Sequence, residues 1–169
     1  MTCGEIRPTN VVPVIAMSRD GKQTAFPMQW GFLLSGRSPL VNARTETAAE
    51  KPTFKEAWAR HRCIIPASWY FEWEHTIDEA GKKKTGAKYI IRPKDSGMTW
   101  LCGLYRMEDG LPAFTVLTRE PSEELRSIHD RMPLILPKER IGEWIDPDSD
   151  PSKLLRYSLT DMVFEEATV

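Results

Sequence analysis

Four short segments of the chain carry side chains that a packed sheet does not ordinarily hold, and each suggests a chemistry. Asn42-Ala-Arg-Thr-Glu-Thr47 follows the apolar pair Leu40-Val41 and offers a two-sided amide beside a planar guanidinium. That combination suits phosphate or base-edge contacts; a turn after an edge strand is the plainer alternative. In Trp69-Tyr-Phe-Glu-Trp73, alternation puts Trp69, Phe71 and Trp73 on one face and Tyr70 and Glu72 on the other. A carboxylate among apolar neighbours loses hydration, which raises its pKa toward the range useful for acid-base work. A solvent-facing Glu on a half-exposed strand is the competing reading. In Ile128-His-Asp-Arg-Met-Pro133, His129 stands at the entrance to an apolar strand. It suits a proton shuttle; a structural histidine bonded to backbone is the plainer alternative. Finally, Met1-Thr-Cys-Gly4 places a thiol near a chain end, where it is an approachable nucleophile or an incidental terminal residue.

The elements that must position these groups are mostly strands. Val11–Met17, Phe26–Phe32, Cys63–Ala67, Trp69–Trp73, Tyr89–Arg92, Met98–Met107, Ala113–Thr118 and Met132–Leu136 are rich in β-branched and aromatic residues, with Gly, Pro or Asp nearby. Thr53-Phe-Lys-Glu56 has the form of a capping box opening a helix through Arg60. Ser122–Ser127 reads as one or two turns. Lys138–Ile145 reads as a helix after Pro137, with Ile141, Trp144 and Ile145 on one stripe. His75–Lys88, with Lys82-Lys83-Lys84, reads as an exposed, mobile hairpin loop. The expectation is an α+β single domain on a curved, barrel-like, mainly antiparallel β-sheet with a few short helices.

Composition narrows the function classes. With 23 Lys plus Arg against 24 Asp plus Glu, the 169 residues carry a net charge of -1, which excludes a wholly basic, nucleic-acid-coating protein but not a local basic groove. No apolar run approaches the roughly 20 residues of a membrane span, and no signal-peptide stretch opens the chain, so a cytoplasmic protein is expected. Cys3, Cys63 and Cys102 form no CxxC pair, and His61, His75 and His129 lack metal-ligand spacing, so neither a disulfide framework nor a metal or other cofactor is expected. Cys63 and Cys102, in apolar runs, read as core thiols.

No single segment decides the function, but their order is specific. Pro8-Thr-Asn-Val-Val-Pro13, Trp30-Gly31, Asn42–Thr47, Arg62-Cys-Ile-Ile-Pro-Ala67 with Glu72-Trp73, Thr115–Thr118 and His129–Pro133 together resemble the SOS-response-associated peptidase (SRAP) family, from about Gly4 to Ile145. The resemblance implies a monomeric sensor of abasic sites in single-stranded DNA, nucleoid-associated when bound. Its N-terminal cysteine becomes covalently attached to the ring-opened sugar aldehyde, with associated N-terminal autoproteolysis. By similarity Cys3, Asn42, Glu72 and His129 take catalytic positions, and Arg44, Trp73, Pro13, Arg131 and Trp30 take DNA-binding ones. Arg7, Arg37 and Arg62 are further candidates for the basic patch. An amine and a thiol on one residue suit an aldehyde: the amine forms an imine and the thiol closes a thiazolidine, with Glu72 and His129 carrying protons and Asn42 orienting the reactants.

The chain departs from the family pattern near its start. Thr2 stands between Met1 and Cys3, Glu5 follows Gly4 where the family has Arg, and four residues separate Cys3 from Pro8 where the family has a longer segment. One domain over residues 1–169, lacking part of the family's N-terminal segment, is the expectation. Ser68-Trp69-Tyr70 also replaces the family's Asp-Gly-aromatic turn. Two other function classes stay open: a DNA-binding module of the same fold without a competent nucleophile, and a thiol peptidase using Cys3 with His129.

Overall fold

The computed structural model describes residues 1–77 and 79–168. The chain opens with β1 (Val11–Met17) and β2 (Gln23–Trp30), an antiparallel hairpin with Val11 opposite Gln29 and Met17 opposite Gln23. A small hairpin of β3 (Phe32–Leu34) and β4 (Arg37–Leu40) follows, then β5 (Asn42–Arg44) and two short helices, α1 (Thr45–Ala48) and α2 (Lys55–Arg60). The middle of the chain is nearly all strand: β6 (Arg62–Ala67), β7 (Tyr70–Ile77), β8 (Lys83–Pro93), β9 (Thr99–Glu108) and β10 (Leu111–Arg119). The last third holds β11 (Met132–Pro133), α3 (Ile141–Ile145), α4 (Pro151–Leu154) and β12 (Met162–Glu166).

Strands β10, β2, β1, β6 and β9 are neighbours in that order, and β9 pairs again with β10, so five strands close into a barrel. Only the β2–β10 contact within it is parallel. Closure satisfies the backbone groups that an open edge would leave bare. Gly103 allows the walls to meet: a Cβ there would sit 2.7 Å from the Ile65 side chain and 2.8 Å from the Thr115 carbonyl oxygen. A second sheet, in the order β12-β8-β7, packs beside the barrel. The expected α+β architecture on a barrel-like, mainly antiparallel sheet is the one adopted.

Alternation divides the barrel wall into two apolar layers. Val12, Val14, Met28, Cys63, Ile65, Phe114 and Val116 pack with Ile91 and Met162 of the second sheet and with Leu125, Ile128 and Met132. Ile64, Cys102, Leu104 and Leu117 pack instead with Trp58, Trp144, Ile141 and Leu154 on the helices. Cys63 and Cys102 are thus core thiols, and burial pushes both far above the usual thiol range. Among the described residues no helix is long and apolar enough to cross a membrane.

Several expectations need correction. Thr53 caps nothing: α2 begins at Lys55 behind Phe54, and the Lys51 carbonyl accepts the Phe54 and Lys55 N–H groups at 2.9 and 2.8 Å. A backbone turn supplies what the capping box would have supplied, because Phe54 is drawn into the core. Most of the supposed loop His75–Lys88 is strand, since β7 runs to Ile77 and β8 starts at Lys83; Asp78 lies outside the described residues. Arg62, expected in a DNA-facing patch, is 1% exposed. Its guanidinium donates to the carbonyls of Trp144 and Trp58 at 2.8 Å, Ala59 at 2.6 Å and Ser149 at 3.1 Å, and also to Asp146. It ties β6 to α2, α3 and the turn before α4, where Asp146 and Asp150 balance its charge.

Candidate active site

The site lies where β7 and the end of β10 face a turn between β10 and β11. That turn is held from three sides. Leu125, Ile128 and Met132 are buried, the Ile128 and His129 N–H groups donate to the Leu125 carbonyl at 2.9 and 3.0 Å, and the His75 N–H donates to the Ile128 carbonyl at 3.0 Å. β11 then pairs Pro133 with Thr118 and Met132 with Arg119 of β10. His129 is therefore fixed by its own short turn together with β7 and β10.

Glu72 meets it from β7. Tyr70 and Glu72 face inward while Trp69 and Trp73 are each 46% exposed, as alternation requires. The Glu72 Oε1 atom lies 3.7 Å from His129 Nε2. Burial raises the Glu72 pKa, and His129, the Trp73 N–H and His75 partly offset that rise. The Trp73 N–H donates to Oε1 at 3.3 Å. The Arg131 N–H donates to His129 Nδ1 at 3.0 Å, which leaves Nε2 as the nitrogen that meets the carboxyl. A carboxyl disposed to keep its proton, beside an imidazole, is an acid-base pair.

Asn42 enters from β5, which runs parallel to β10 with Asn42 beside Val116 and Arg44 beside Thr118. Trp30 sets this strand: its Nε1–H donates to the Val41 carbonyl at 3.0 Å, and its ring stacks on Phe114 at 6.4 Å and 4°. Arg44 is exposed. Arg131 is engaged already, with two 2.8 Å bonds to the Glu46 carboxylate and one of 2.7 Å to the Thr118 carbonyl. These bonds hold the Glu46 carboxyl below its usual range. Register and contacts thus run from Asn42 and Arg44 through Thr118 and Arg131 to His129 and Glu72. Pro13 does not join this set. It is exposed opposite Pro27 on β2, on the face of β1 away from Val12 and Val14.

Cys3 is exposed and bracketed by two ties. The Thr2 N–H donates to the Val11 carbonyl at 2.8 Å, and the Glu5 carboxylate meets Lys88 Nζ at 3.0 Å. Lys88 stands opposite Trp73 in the β7–β8 ladder, and its ammonium lies 3.9 Å from the Phe71 ring centroid. The Glu5 carboxylate, a departure from the family pattern, is therefore a clasp between the N-terminal segment and β8, the strand paired with the one bearing Glu72. Sequence reasoning missed Lys88 and His75. Lys88 had one available signal, its place opposite an aromatic in a hairpin. Arg7 and Arg37 are exposed.

The family model for the SOS response associated peptidases matches residues 4–168. The chain belongs to the SRAP family. The match runs past the expected limit near Ile145 and takes in β12, which completes the second sheet. Among SRAP relatives, abasic site processing protein YoaM of Bacillus subtilis is 34% identical over 180 residues, covering 94% of this chain and 77% of that one. Abasic site processing protein YedK of Escherichia coli is 31% identical over 146 residues, covering 80% of this chain and 63% of that one. A phage-related protein from Bordetella bronchiseptica shares the SRAP fold with a TM-score of 0.78 at 22% identity, over 97% of this chain and 81% of its own.

Proposed function

We propose that this SRAP protein processes abasic sites in single-stranded DNA by crosslinking Cys3 to the ring-opened sugar aldehyde. The observation that carries the reading is the Glu72–His129 pair, a carboxyl with raised pKa 3.7 Å from an imidazole, in a chain whose relatives are named for abasic site processing. Proton traffic at an aldehyde needs one group that gives a proton and takes it back. The Cys3 amine adds to the aldehyde carbon, and protonated Glu72 supplies the proton with which the hydroxyl leaves as water. The thiol sulfur then adds to the iminium carbon, whose nitrogen keeps its one remaining proton, the thiol proton goes to the Glu72 carboxylate and restores it, and the thiazolidine closes. His129 holds Glu72 in place and shares the proton.

This chemistry needs a free Cys3 amine, which Met1 and Thr2 cover in the chain as written. Autoproteolysis fits here: hydrolysis of the Thr2–Cys3 amide frees that amine, with the same acid-base pair serving. Asn42 orients the sugar or the amine by hydrogen bonds. Arg44 contacts phosphate, and Trp69 and Trp73 present stacking surfaces for bases. The protein acts as a monomer.

Intact mass before and after incubation with a single-stranded oligonucleotide carrying one abasic site tests the proposal. The expected result is a heat-stable adduct that is lost in Cys3→Ala, on a protein whose mass shows that the residues before Cys3 are gone. Reversible binding without any adduct, unchanged in Cys3→Ala, would overturn the crosslinking reading. It would leave a DNA-binding module, a reading favoured by the Thr2–Val11 bond that ties down the segment in front of Cys3.

A further inference from the structure

One cluster at the site is left over by this chemistry. His75, His129 and Asp130 each offer a ligand atom, and these atoms all lie within 4.8 Å of one another. Sequence spacing hides the group, because strict alternation puts His75 on the Trp73 side of β7, away from Glu72. In the structure His75 stays on the exposed side of β7 with Trp73 and Ile77, but its backbone N–H donates to the Ile128 carbonyl at 3.0 Å, which sets β7 beside the turn carrying His129. Between Trp73 and His75 the register slips, Trp73 standing opposite Lys88 but His75 opposite Thr85. Beyond it, the His75 ring lies against that of His129, with centroids 4.3 Å apart and planes tilted by 51°.

We propose that His75, His129 and Asp130 form a binding site for a divalent transition-metal ion of the zinc class, and that the bound ion switches off the Glu72–His129 pair. Two imidazoles and a carboxylate form a ligand set for zinc and its neighbours, whereas calcium and magnesium prefer oxygen alone. With an ion on Nε2 of His129, the proton moves to Nδ1, which gives up the bond it accepts from the Arg131 N–H and turns to the Arg131 carbonyl oxygen 3.2 Å away, the kind of acceptor that orients a metal-bound histidine. Glu72 Oε1, 3.7 Å from Nε2, stands in reach as a fourth donor. Tetrahedral zinc needs ligand atoms about 3.4 Å apart. The exposed His75 and Asp130 side chains close that gap by rotation. The binding half stands alone; the switching half rests on the acid-base role proposed for Glu72 and His129.

Titration with Co²⁺ decides the binding half, in a Cys3→Ser background so that the exposed thiol contributes no ligand. A saturable visible absorption of tetrahedral cobalt is expected, displaced by Zn²⁺, with affinity about tenfold or more weaker in His75→Ala. No saturable absorption, or equal affinity in the two proteins, overturns the site. With Cys3 present, Zn²⁺ should stop adduct formation, and His75→Ala should need about tenfold more Zn²⁺ for the same inhibition. Equal inhibition in both proteins, or zinc bound without inhibition, overturns the switch. A protein that forms no adduct even without metal sinks the crosslinking proposal instead, and the cobalt absorption still decides the site.

Discussion

Arg62 and Arg131 both make several bonds to oxygen atoms, yet they do opposite work. Arg62 is sealed beneath the helices and spends its donors on the fixed backbone carbonyls of Trp58, Ala59, Trp144, Asp146 and Ser149. Arg131 lies at the rim of the site and spends two of its bonds on a movable carboxylate, Glu46, whose side chain is 46% exposed. Buried charge with immovable partners makes a joint. Charge at the rim with an exchangeable partner can be handed to a ligand. The difference lies in what surrounds each guanidinium and not in the residue type.

The largest expected effect breaks the joint. Arg62→Ala should cost about 3–5 kcal/mol in urea unfolding, because several buried carbonyls lose their donor. Arg131→Ala should cost less than about 1 kcal/mol, as a partly exposed pair does. Equal losses would erase the distinction. Next comes Glu72→Gln, expected to slow adduct formation by about a hundredfold or more with DNA affinity unchanged. The same variant should melt at an equal or higher temperature at neutral pH. Burial raises the folded-state pKa of Glu72 above the ordinary value of 4.5, so its contribution to stability is fully present below that value and is lost as pH rises through the folded pKa. Calorimetry across that range checks the sign, and a Gln variant that is less stable at pH 7 would contradict it.

Smaller effects sharpen the comparison at the rim. Arg44→Ala should weaken binding of single-stranded DNA by about 1–3 kcal/mol if the guanidinium bonds phosphate. Trp73→Ala should cost about 1–3 kcal/mol if a base stacks there. Fluorescence anisotropy at two salt concentrations separates them, since only the arginine should change the salt slope. The smallest is Glu46→Gln, worth under about 1 kcal/mol of stability. Arg131 holds the Glu46 pKa down, so this contribution is present above 4.5 and disappears as pH falls through the lower folded value. The variant should also tighten DNA binding by releasing Arg131, and unchanged affinity would mean that Arg131 does not reach the DNA.

The barrel strands were legible because burial writes itself into alternation: Val12, Val14 and Ala16 inward around an exposed Pro13 is a pattern a single strand displays. The order of short motifs likewise made Glu72 and His129 readable as partners, although nothing local joins them. Arg62 was misread because a strand sequence does not say which helix ends lie within reach of its first side chain. His75 was missed because its approach to His129 is made by the backbone bond from β7 to the Ile128 carbonyl, which the sequence of β7 does not display. β12 escaped notice because its burial runs out after Met162 and Val163, leaving no alternation to see in Phe164, Glu165 and Glu166.

The parallel seam between β2 and β10, Gln29 beside Ala113 and Phe114 beside Trp30, joins segments far apart in the chain. β5 pairs with the same strand over a similar span, so Asn42 has no lateral partner until β10 arrives. Long loops must close before such contacts return any energy, which slows folding toward the millisecond-to-second range of β-rich topologies. During synthesis on the ribosome, the first hundred residues emerge before the strand that will align Asn42 with the turn carrying His129. The candidate site therefore cannot be complete before β10 and the turn after it are in place, and a nascent or prematurely ended chain carries its parts without its geometry.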